Sequence, residues 1–210
     1  ENEPYENILD SNGKPYTEVG FAVYLMDYKS YTILYVGRID RIMRHVGSGR
    51  ARNFELKTTT VGLGNFIQQV RPNHQITGYH VAGDLLLPFK VEETVWDCVF
   101  VSDRKPDLSK GGWFNYGIDI DKDFARHVTQ RNDTEKEDWL EDMKETASRY
   151  VDLLLSSKTR WRRSAPSACH TYGGCTFREV CRKNANQAYI DSFFKVKKWE
   201  PYEGVLGATN

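Results

Sequence analysis

Hydrophobic and polar residues alternate along much of the first sixty positions, which is typical of β-strands with one buried face. Residues 19–26 and 31–42 alternate in this way, and the polar residues 28–30 between them predict a hairpin turn. A glycine-containing turn at 45–50 leads to another alternating segment at 51–58. The pattern therefore predicts three consecutive antiparallel strands.

After residue 60 the spacing of apolar residues changes to three and four, which indicates helices with one buried face. One predicted helical face is formed by Leu63, Phe66, Ile67 and Val70. A second helix is predicted over about 72–87, because Pro72 suits the first turn of a helix. The clearest helix begins at Asn132 or Thr134 and ends near residue 157, and a last helix is predicted over 184–194.

Further strands follow the second helix. Residues 91–101 are rich in Val, Trp and Phe and predict a central strand, in which Cys98 is a small buried hydrophobic residue. Residues 113–120 and 124–130 are predicted to be additional strands, and the first 17 residues a loose lead-in with turn-forming sequences. This order of elements predicts an α/β protein whose mixed sheet is flanked by helices.

Length and charge narrow the class of protein. The chain has 210 residues, and we predict a core over 1–157 with a cysteine-rich module over 158–210 packed on it. Its 29 basic and 29 acidic side chains cancel, so net charge does not indicate a nucleic-acid partner. Two basic clusters could contact nucleic acid or simply be solvated turns: Arg38, Arg41, Arg44, Arg50 and Arg52, and Lys158, Arg160, Arg162 and Arg163.

The distribution of apolar residues argues against a membrane protein. No stretch approaches the roughly eighteen apolar residues of a membrane span, and the acidic, polar start is unlike a signal peptide. We therefore expect no membrane association and a cytoplasmic location. The first residue is Glu1 rather than methionine, so we expect either a fragment or a chain whose beginning is missing.

Two acidic residues and a lysine are predicted to meet at one end of the sheet. Asp40 lies at the end of one strand, and Glu55 and Lys57 share a face of the next because side chains alternate along a strand. Magnesium prefers oxygen ligands, so Asp40, Glu55 and the Leu56 carbonyl form a candidate site for a divalent ion and its water. Lys57 would position that water or offset charge that develops on a phosphate.

Each of these residues also has a purely structural interpretation. Asp40 could pair with a neighbouring arginine, and Glu55 with Lys57 could form the solvated face of an edge strand. The combination favours a functional site, because Gln75 and Tyr79 lie one turn apart on a single face of the following helix.

In order and spacing, three motifs resemble those of the RecB-like branch of the PD-(D/E)XK nucleases: Gly37-Arg38-Ile39-Asp40, Glu55-Leu56-Lys57 and Gln75-x-x-x-Tyr79. The resemblance implies a restriction-endonuclease-like fold. It implies that Asp40 and Glu55 bind Mg²⁺ or Mn²⁺, that Lys57 is catalytic, and that Gln75 and Tyr79 line the site. It also implies a metal-binding glutamate on the first strand, for which Glu18 is the candidate.

The same resemblance implies a metal-dependent DNA nuclease. We expect an exonuclease that acts on single-stranded or frayed DNA during recombination, repair or phage DNA processing. Its partners would be DNA and a helicase or recombination protein, in a bacterial or phage-infected cell. The alternative is a catalytically inactive nucleic-acid-binding or scaffold protein that keeps the nuclease fold.

Three cysteines near the end of the chain form a separate candidate site. Cys169, Cys175 and Cys181 are spaced by five residues twice, and thiolates this close in a cytoplasmic enzyme favour a metal over disulfides. The segment resembles the C-terminal cysteines of CRISPR-associated and phage-type relatives, which implies a structural 4Fe-4S cluster.

The cluster of those relatives takes a fourth cysteine far upstream, but no cysteine precedes Glu18 in this chain. Three alternatives stay open. The fourth ligand lies in a missing N-terminal segment, His170 completes a Cys3His site for Zn²⁺, or the segment keeps the family shape without a metal.

Overall fold

The computed structural model describes residues 5–60, 62–101, 123–156, 169–170, 174–183 and 186–197. These residues belong to two compact units that divide between Ala147 and Ser148. Three predictions lie outside the described residues: the strand at 113–120, the boundary after residue 157 and the basic cluster at 158–163.

A mixed β-sheet forms the centre of the first unit, as the alternating pattern predicts. Its strands are β1 (Tyr5–Asn7), β2 (Thr17–Tyr28), β3 (Tyr31–His45), β4 (Ala51–Thr59), β5 (Val91–Phe100) and β6 (Phe124–Thr129). The order across the sheet is β1-β3-β4-β5-β6, with β2 paired to β3. β2 and β3 form the predicted hairpin, whereas β4 and β5 are parallel, so the connection between them crosses over through helices.

The loose lead-in predicted for the first 17 residues is wrong where β1 lies. This strand pairs antiparallel with the end of β3, in a register that places Tyr5 opposite His45. The Tyr5 ring packs edge-on against His45 and Phe54, with ring centroids 5.4 Å and 4.7 Å apart. A three-residue strand is too short to show a period, so its pairing is decided by these contacts.

The helices are α1 (Leu63–Ile67), which continues into a 3-10 turn over Gln68–Val70, α2 (His74–Leu86), α3 (Asp133–Leu155), α4 (Arg178–Lys183) and α5 (Gln187–Phe193). α4 and α5 belong to the second unit. The sequence pattern does not predict α4, because six residues are too few to establish a helical period. In the described part of the chain, no helix is long and apolar enough to cross a membrane.

Side-chain caps set the starts of the two long helices. Asn73 caps α2 by accepting a 3.0 Å hydrogen bond from the Ile76 amide, so Pro72 precedes the cap and its predicted place in the first turn is wrong. α3 begins as predicted, because Asn132 and Glu135 form a reciprocal capping box.

β3 changes partners along its length, and this opens a fork in the sheet. Its first part pairs with β2 as far as Arg41, whereas its pairing with β4 runs from Arg44 back to Arg41, which is opposite Phe54. Beyond Phe54, β4 stays paired with β5, from Glu55 opposite Trp96 onward. β3 and β4 therefore diverge after the Arg41–Phe54 pair.

Two apolar clusters fix α2 over the sheet. One contains Phe21 of the hairpin and Tyr79 of α2, and the other joins Ile76 of α2 to Trp96 and Cys98 of β5. The prediction that Cys98 is a buried hydrophobic residue on a central strand is confirmed. Burial of α2 residues on both sides of the fork holds the helix across it.

Candidate active site

Asp40 and Glu55 lie directly at the fork between β3 and β4. They are the first residues of each strand beyond the last ladder pair, Arg41 with Phe54. Opposite residues of an antiparallel pair point to the same face of a sheet, so this register directs both carboxylates to one side. The fold thus brings together two acids that are fifteen positions apart in the sequence.

The Glu55 carboxylate is the buried centre of this site, with only 2 % of its side chain exposed. Its Oε1 accepts hydrogen bonds from the Lys57 ammonium and from Gln75 Nε2, the latter at 3.0 Å. Its Oε2 is also buried, but it has no hydrogen-bond partner among the described residues. One carboxylate oxygen therefore accepts from two donors, and the other is a buried acceptor that is open to a further ligand.

Gln75 and Tyr79 connect Glu55 to the other side of the fork. Gln75 Nε2 donates to Tyr79 Oη at 2.7 Å as well as to Glu55, and the Tyr79 hydroxyl donates to the Arg38 carbonyl at 2.6 Å. Residues four apart lie on one face of a helix, so both side chains of α2 reach the fork together. These hydrogen bonds link Glu55 of β4 to Arg38 of β3, which lies two residues before Asp40.

Electrostatics at the site favour binding of a cation. Burial raises the pKa of the Glu55 carboxyl, and the negative charge of Asp40 adds to that effect. The hydrogen bond and positive charge of Lys57, and the hydrogen bond from Gln75, lower this pKa but do not cancel the increase. A cation would relieve the cost of this poorly solvated charge. Burial also raises the pKa of Tyr79 well above its usual value, so its hydroxyl stays protonated and can donate.

Four of the five arginines in the first predicted basic cluster are engaged with carboxylates. Their ion pairs are Arg38–Glu18, Arg44–Glu6, Arg50–Glu92 and Arg52–Glu93. The sequence count of positive charges therefore overstates the positive charge that this region offers to a polyanion.

A family model described as the PD-(D/E)XK nuclease superfamily matches residues 5–182. The chain belongs to the PD-(D/E)XK nuclease superfamily. A search of curated proteins found no match. Membership indicates a metal-dependent nuclease, which is a hydrolase that acts on nucleic acids. Assignment to the RecB-like branch, with its CRISPR-associated and phage-type relatives, stays a prediction.

The remaining predicted metal ligands of this PD-(D/E)XK protein lie at less enclosed positions. The Glu18 side chain is 67 % exposed and pairs with Arg38 at 3.8 Å, and its backbone has a left-handed φ of 50°. The Leu56 side chain is exposed. Only its backbone carbonyl is predicted to bind the metal. The role of each as a metal ligand stays a prediction.

Within the described ranges, no group of three or more His, Cys, Asp or Glu side chains is arranged to hold a metal ion by itself. The donor set predicted at the fork is of a different kind, because it would combine two carboxylates with a backbone carbonyl. Such a set suits Mg²⁺ or Mn²⁺, which take hard oxygen ligands and retain several waters. The buried Glu55 Oε2, which has no hydrogen-bond partner among the residues described, is consistent with this ion.

The cysteine segment lies in the second unit. Cys169, Cys175 and Cys181 are free thiols, and the Cys175 amide donates to the Cys169 carbonyl at 3.1 Å. Gly174, directly before Cys175, has a φ of 104°. Together with His170, the three cysteines do not form a metal-holding group in the described residues. The predicted 4Fe-4S or Zn²⁺ site thus stays a prediction.

The structure also adds residues to the site that sequence reasoning missed. The Arg38 carbonyl is a backbone group, so no side-chain motif identifies it. Trp96 lies beneath Lys57, with the ammonium 5.5 Å from the ring centroid. Its only sequence signal is membership of an apolar strand, and its position follows from the parallel pairing of β4 and β5.

Proposed function

We propose that this protein is a metal-dependent DNA nuclease whose active site is the fork between β3 and β4. The observation that carries the proposal is the Glu55 carboxylate. One of its oxygens accepts from Lys57 and Gln75, and the other is buried with no hydrogen-bond partner in the part of the chain that the structure describes. A buried carboxylate in this state is costly for stability, and a bound cation would offset that cost.

Asp40, Glu55 and the Leu56 carbonyl would hold Mg²⁺ or Mn²⁺, with Glu18 as a further candidate. When bound, the ion polarises a phosphodiester and makes an associated water more acidic. Lys57 acts from the side of Glu55 Oε1, where its ammonium can orient the attacking water or offset negative charge on the phosphate.

Gln75 and Tyr79 are positioning residues in this proposal. Neither side chain needs to contact the phosphate, because their hydrogen bonds already fix Glu55 with respect to the strand that carries Asp40. Holding the two acids at a constant separation keeps their oxygens ready for one ion without a reorganisation at each turnover.

We also propose a substrate, partners and a location for this nuclease. The RecB-like order of motifs supports an exonuclease on single-stranded or frayed DNA, used in recombination, repair or phage DNA processing alongside a helicase or recombination protein. A cytoplasmic location fits that use. The cysteine spacing supports a structural 4Fe-4S cluster or Zn²⁺ at Cys169, Cys175 and Cys181, outside the chemical step.

Cleavage of an end-labelled oligonucleotide with Mg²⁺ or Mn²⁺ tests the proposal. We expect the Glu55→Ala/Lys57→Ala double variant to lose at least about 100-fold in rate. The matched control is Asp27→Ala/Lys29→Ala, which removes an acid-x-Lys triplet at the β2–β3 turn, where Asp27 accepts a hydrogen bond from Thr32. This control should cleave like the wild type.

Two results would contradict the assignment. Full activity in the Glu55→Ala/Lys57→Ala variant would exclude this site as the catalytic one. DNA binding by the wild type that survives Asp40→Ala, without product under any divalent ion, would instead identify a binding or scaffold protein that retains the nuclease fold.

A further inference from the structure

Lys57 contacts two groups at once. Its ammonium donates to Glu55 Oε1 and also lies over the Trp96 ring, 5.5 Å from the ring centroid. The face of an indole ring carries partial negative charge and attracts a cation at this distance, more strongly than the other aromatic rings do. The Lys57 side chain is 31 % exposed, so this attraction is only partly screened by water.

The fold holds the Trp96 ring in place. Parallel pairing of β4 and β5 sets Trp96 opposite Glu55, which brings the ring to the same face of the sheet as Lys57. The residue is only 3 % exposed and packs with Phe66 of α1 and with Val70 and Ile76 in one apolar cluster. Packing on this scale keeps an aromatic ring in a single rotamer.

We propose that Trp96 is a positioning residue that places the Lys57 ammonium for the chemical step, an inference that rests on the proposed nuclease function. A lysine side chain has a flexible four-carbon stem, and one contact with a carboxylate does not define where its ammonium lies. The ring supplies the second contact. It holds the ammonium beside Glu55 Oε1, so that Oε2 stays available to a divalent ion.

Substitutions that keep or remove the ring face test this role. Trp96→Phe retains an aromatic face, whereas Trp96→Leu removes it. We expect Trp96→Phe to keep kcat within about threefold and Trp96→Leu to lose about 10-fold to 100-fold in kcat, with KM for the oligonucleotide nearly unchanged. Loss confined to kcat is the pattern for misplaced chemistry rather than weakened binding.

The matched control is Trp139→Leu in α3. Trp139 is similarly buried, but its ring packs on Tyr35, with centroids 4.9 Å apart. We expect this control to lower the unfolding midpoint while kcat of the folded protein stays within about threefold, because ordinary core damage does not move Lys57. A fall of kcat as large as in Trp96→Leu would overturn the specific role of Trp96.

Fluorinated tryptophans at position 96 separate the charge of the ring from its shape, and they do not depend on whether Trp96→Leu folds. Fluorine withdraws the negative charge from the ring face and changes its volume little. We expect kcat to fall progressively as one, two and three fluorines are introduced, with the unfolding midpoint nearly constant. A kcat that stays flat along this series would overturn the proposal even if Lys57 proves essential.

Failure of the underlying nuclease assignment has a different outcome. A wild-type protein that cleaves no oligonucleotide, or a Lys57→Met variant that cleaves as fast as the wild type, would overturn the site and the Trp96 role together. Loss of activity in Lys57→Met combined with a flat fluorination series would leave the site intact and overturn the Trp96 role alone.

Discussion

Asp40 and Glu55 are the first residues beyond the last ladder pair of β3 and β4, and they therefore face each other across the opening of a fork in the sheet. A shift of one residue in this register would turn one carboxylate to the opposite face, because side chains alternate along a strand. The site thus depends on the pairing of Arg41 with Phe54 as much as on the acids themselves.

Tyr79→Phe tests the link across the fork. The variant removes the hydroxyl that accepts from Gln75 and donates to the Arg38 carbonyl. We expect the free energy of unfolding to fall by about 1 kcal/mol and kcat to fall roughly tenfold, because Glu55 is held less firmly. Urea unfolding and oligonucleotide cleavage measure the two effects. Tyr24→Phe, at an exposed position of β2, is the control and should change neither.

Divalent ions should stabilise the folded protein through Glu55. At ten times the dissociation constant, a single ion adds about 1.4 kcal/mol to the free energy of unfolding. We expect this gain in the wild type and its loss in Glu55→Gln, which keeps the shape but not the charge of the side chain. Thermal unfolding with and without Mg²⁺ makes the measurement. Glu6→Gln, whose parent carboxylate pairs with Arg44 away from the fork, should respond like the wild type, and equal gains in all three proteins would contradict the assignment.

Glycine-to-alanine substitutions in two helices should have opposite effects. A Cβ at Gly78 of α2 would lie 2.9 Å from Trp139 Cζ2 and would also meet the Tyr35 hydroxyl, so we expect a loss of about 1–3 kcal/mol from overpacking. A Cβ at Gly64 of α1 would meet nothing within 4 Å, so its better helix propensity should add up to about 1 kcal/mol. Urea unfolding of both variants gives the comparison. Stabilisation by Gly78→Ala would show that α2 does not approach these rings so closely.

His80 should make stability fall in mild acid. Its ring is buried between the Val91 carbonyl and Thr94 Oγ1, and burial lowers the pKa of His80 to about 4. As pH falls from about 6.5 to about 4, His80 is protonated in the unfolded chain but stays neutral in the folded state. The free energy of unfolding therefore falls by about 3 kcal/mol.

The comparison that isolates His80 uses its Gln variant and an exposed control. Urea unfolding of the wild type at about pH 7 and about pH 4.5 should show a larger loss than the same measurement on His80→Gln. His74→Gln, at an exposed position of the same helix, should lose as much as the wild type. An equal loss of unfolding free energy in the wild type and His80→Gln would show that His80 is protonated in the folded state.

Metal content decides among the three readings of the cysteine segment. We expect purified protein to carry a metal that Cys175→Ser releases and that Cys98→Ser retains, because Cys98 is buried within the sheet of the first unit. Absorbance near about 400 nm together with iron would identify a 4Fe-4S cluster. Zinc without colour, lost in His170→Ala, would identify the Cys3His site, and no metal in the wild type would contradict both.

Most elements of the fold follow from local pattern, because a period of two or 3.6 residues is set by neighbours along the chain. The β2–β3 hairpin, β4, α2 and the start of α3 are predicted in this way. The candidate side chains are predictable for a related reason. Glu55 and Lys57 share a face because they are two apart on a strand, and Gln75 and Tyr79 share one because they are four apart on a helix.

Other features depend on contacts between distant residues, and no local period contains them. β1 is placed by the rings that pack on Tyr5, and the start of α2 by the Asn73 cap rather than by Pro72. The local sequence has only weak preferences at these two places. Contacts formed in the folded chain decide between them.

The sequence by itself determined which residues are candidates for the chemistry, because the acids, the lysine and the two helical residues are chosen by residue type and spacing. Only the tertiary structure decided which of these residues lie close together, what they contact and how deeply they are buried. The register of β3 with β4 brings Asp40 to Glu55, and the parallel pairing of β4 with β5 puts Trp96 under Lys57. Packing of α2 removes water from Glu55 Oε2, for which the described residues supply no hydrogen-bond partner, and this packing joins segments that are remote in the sequence.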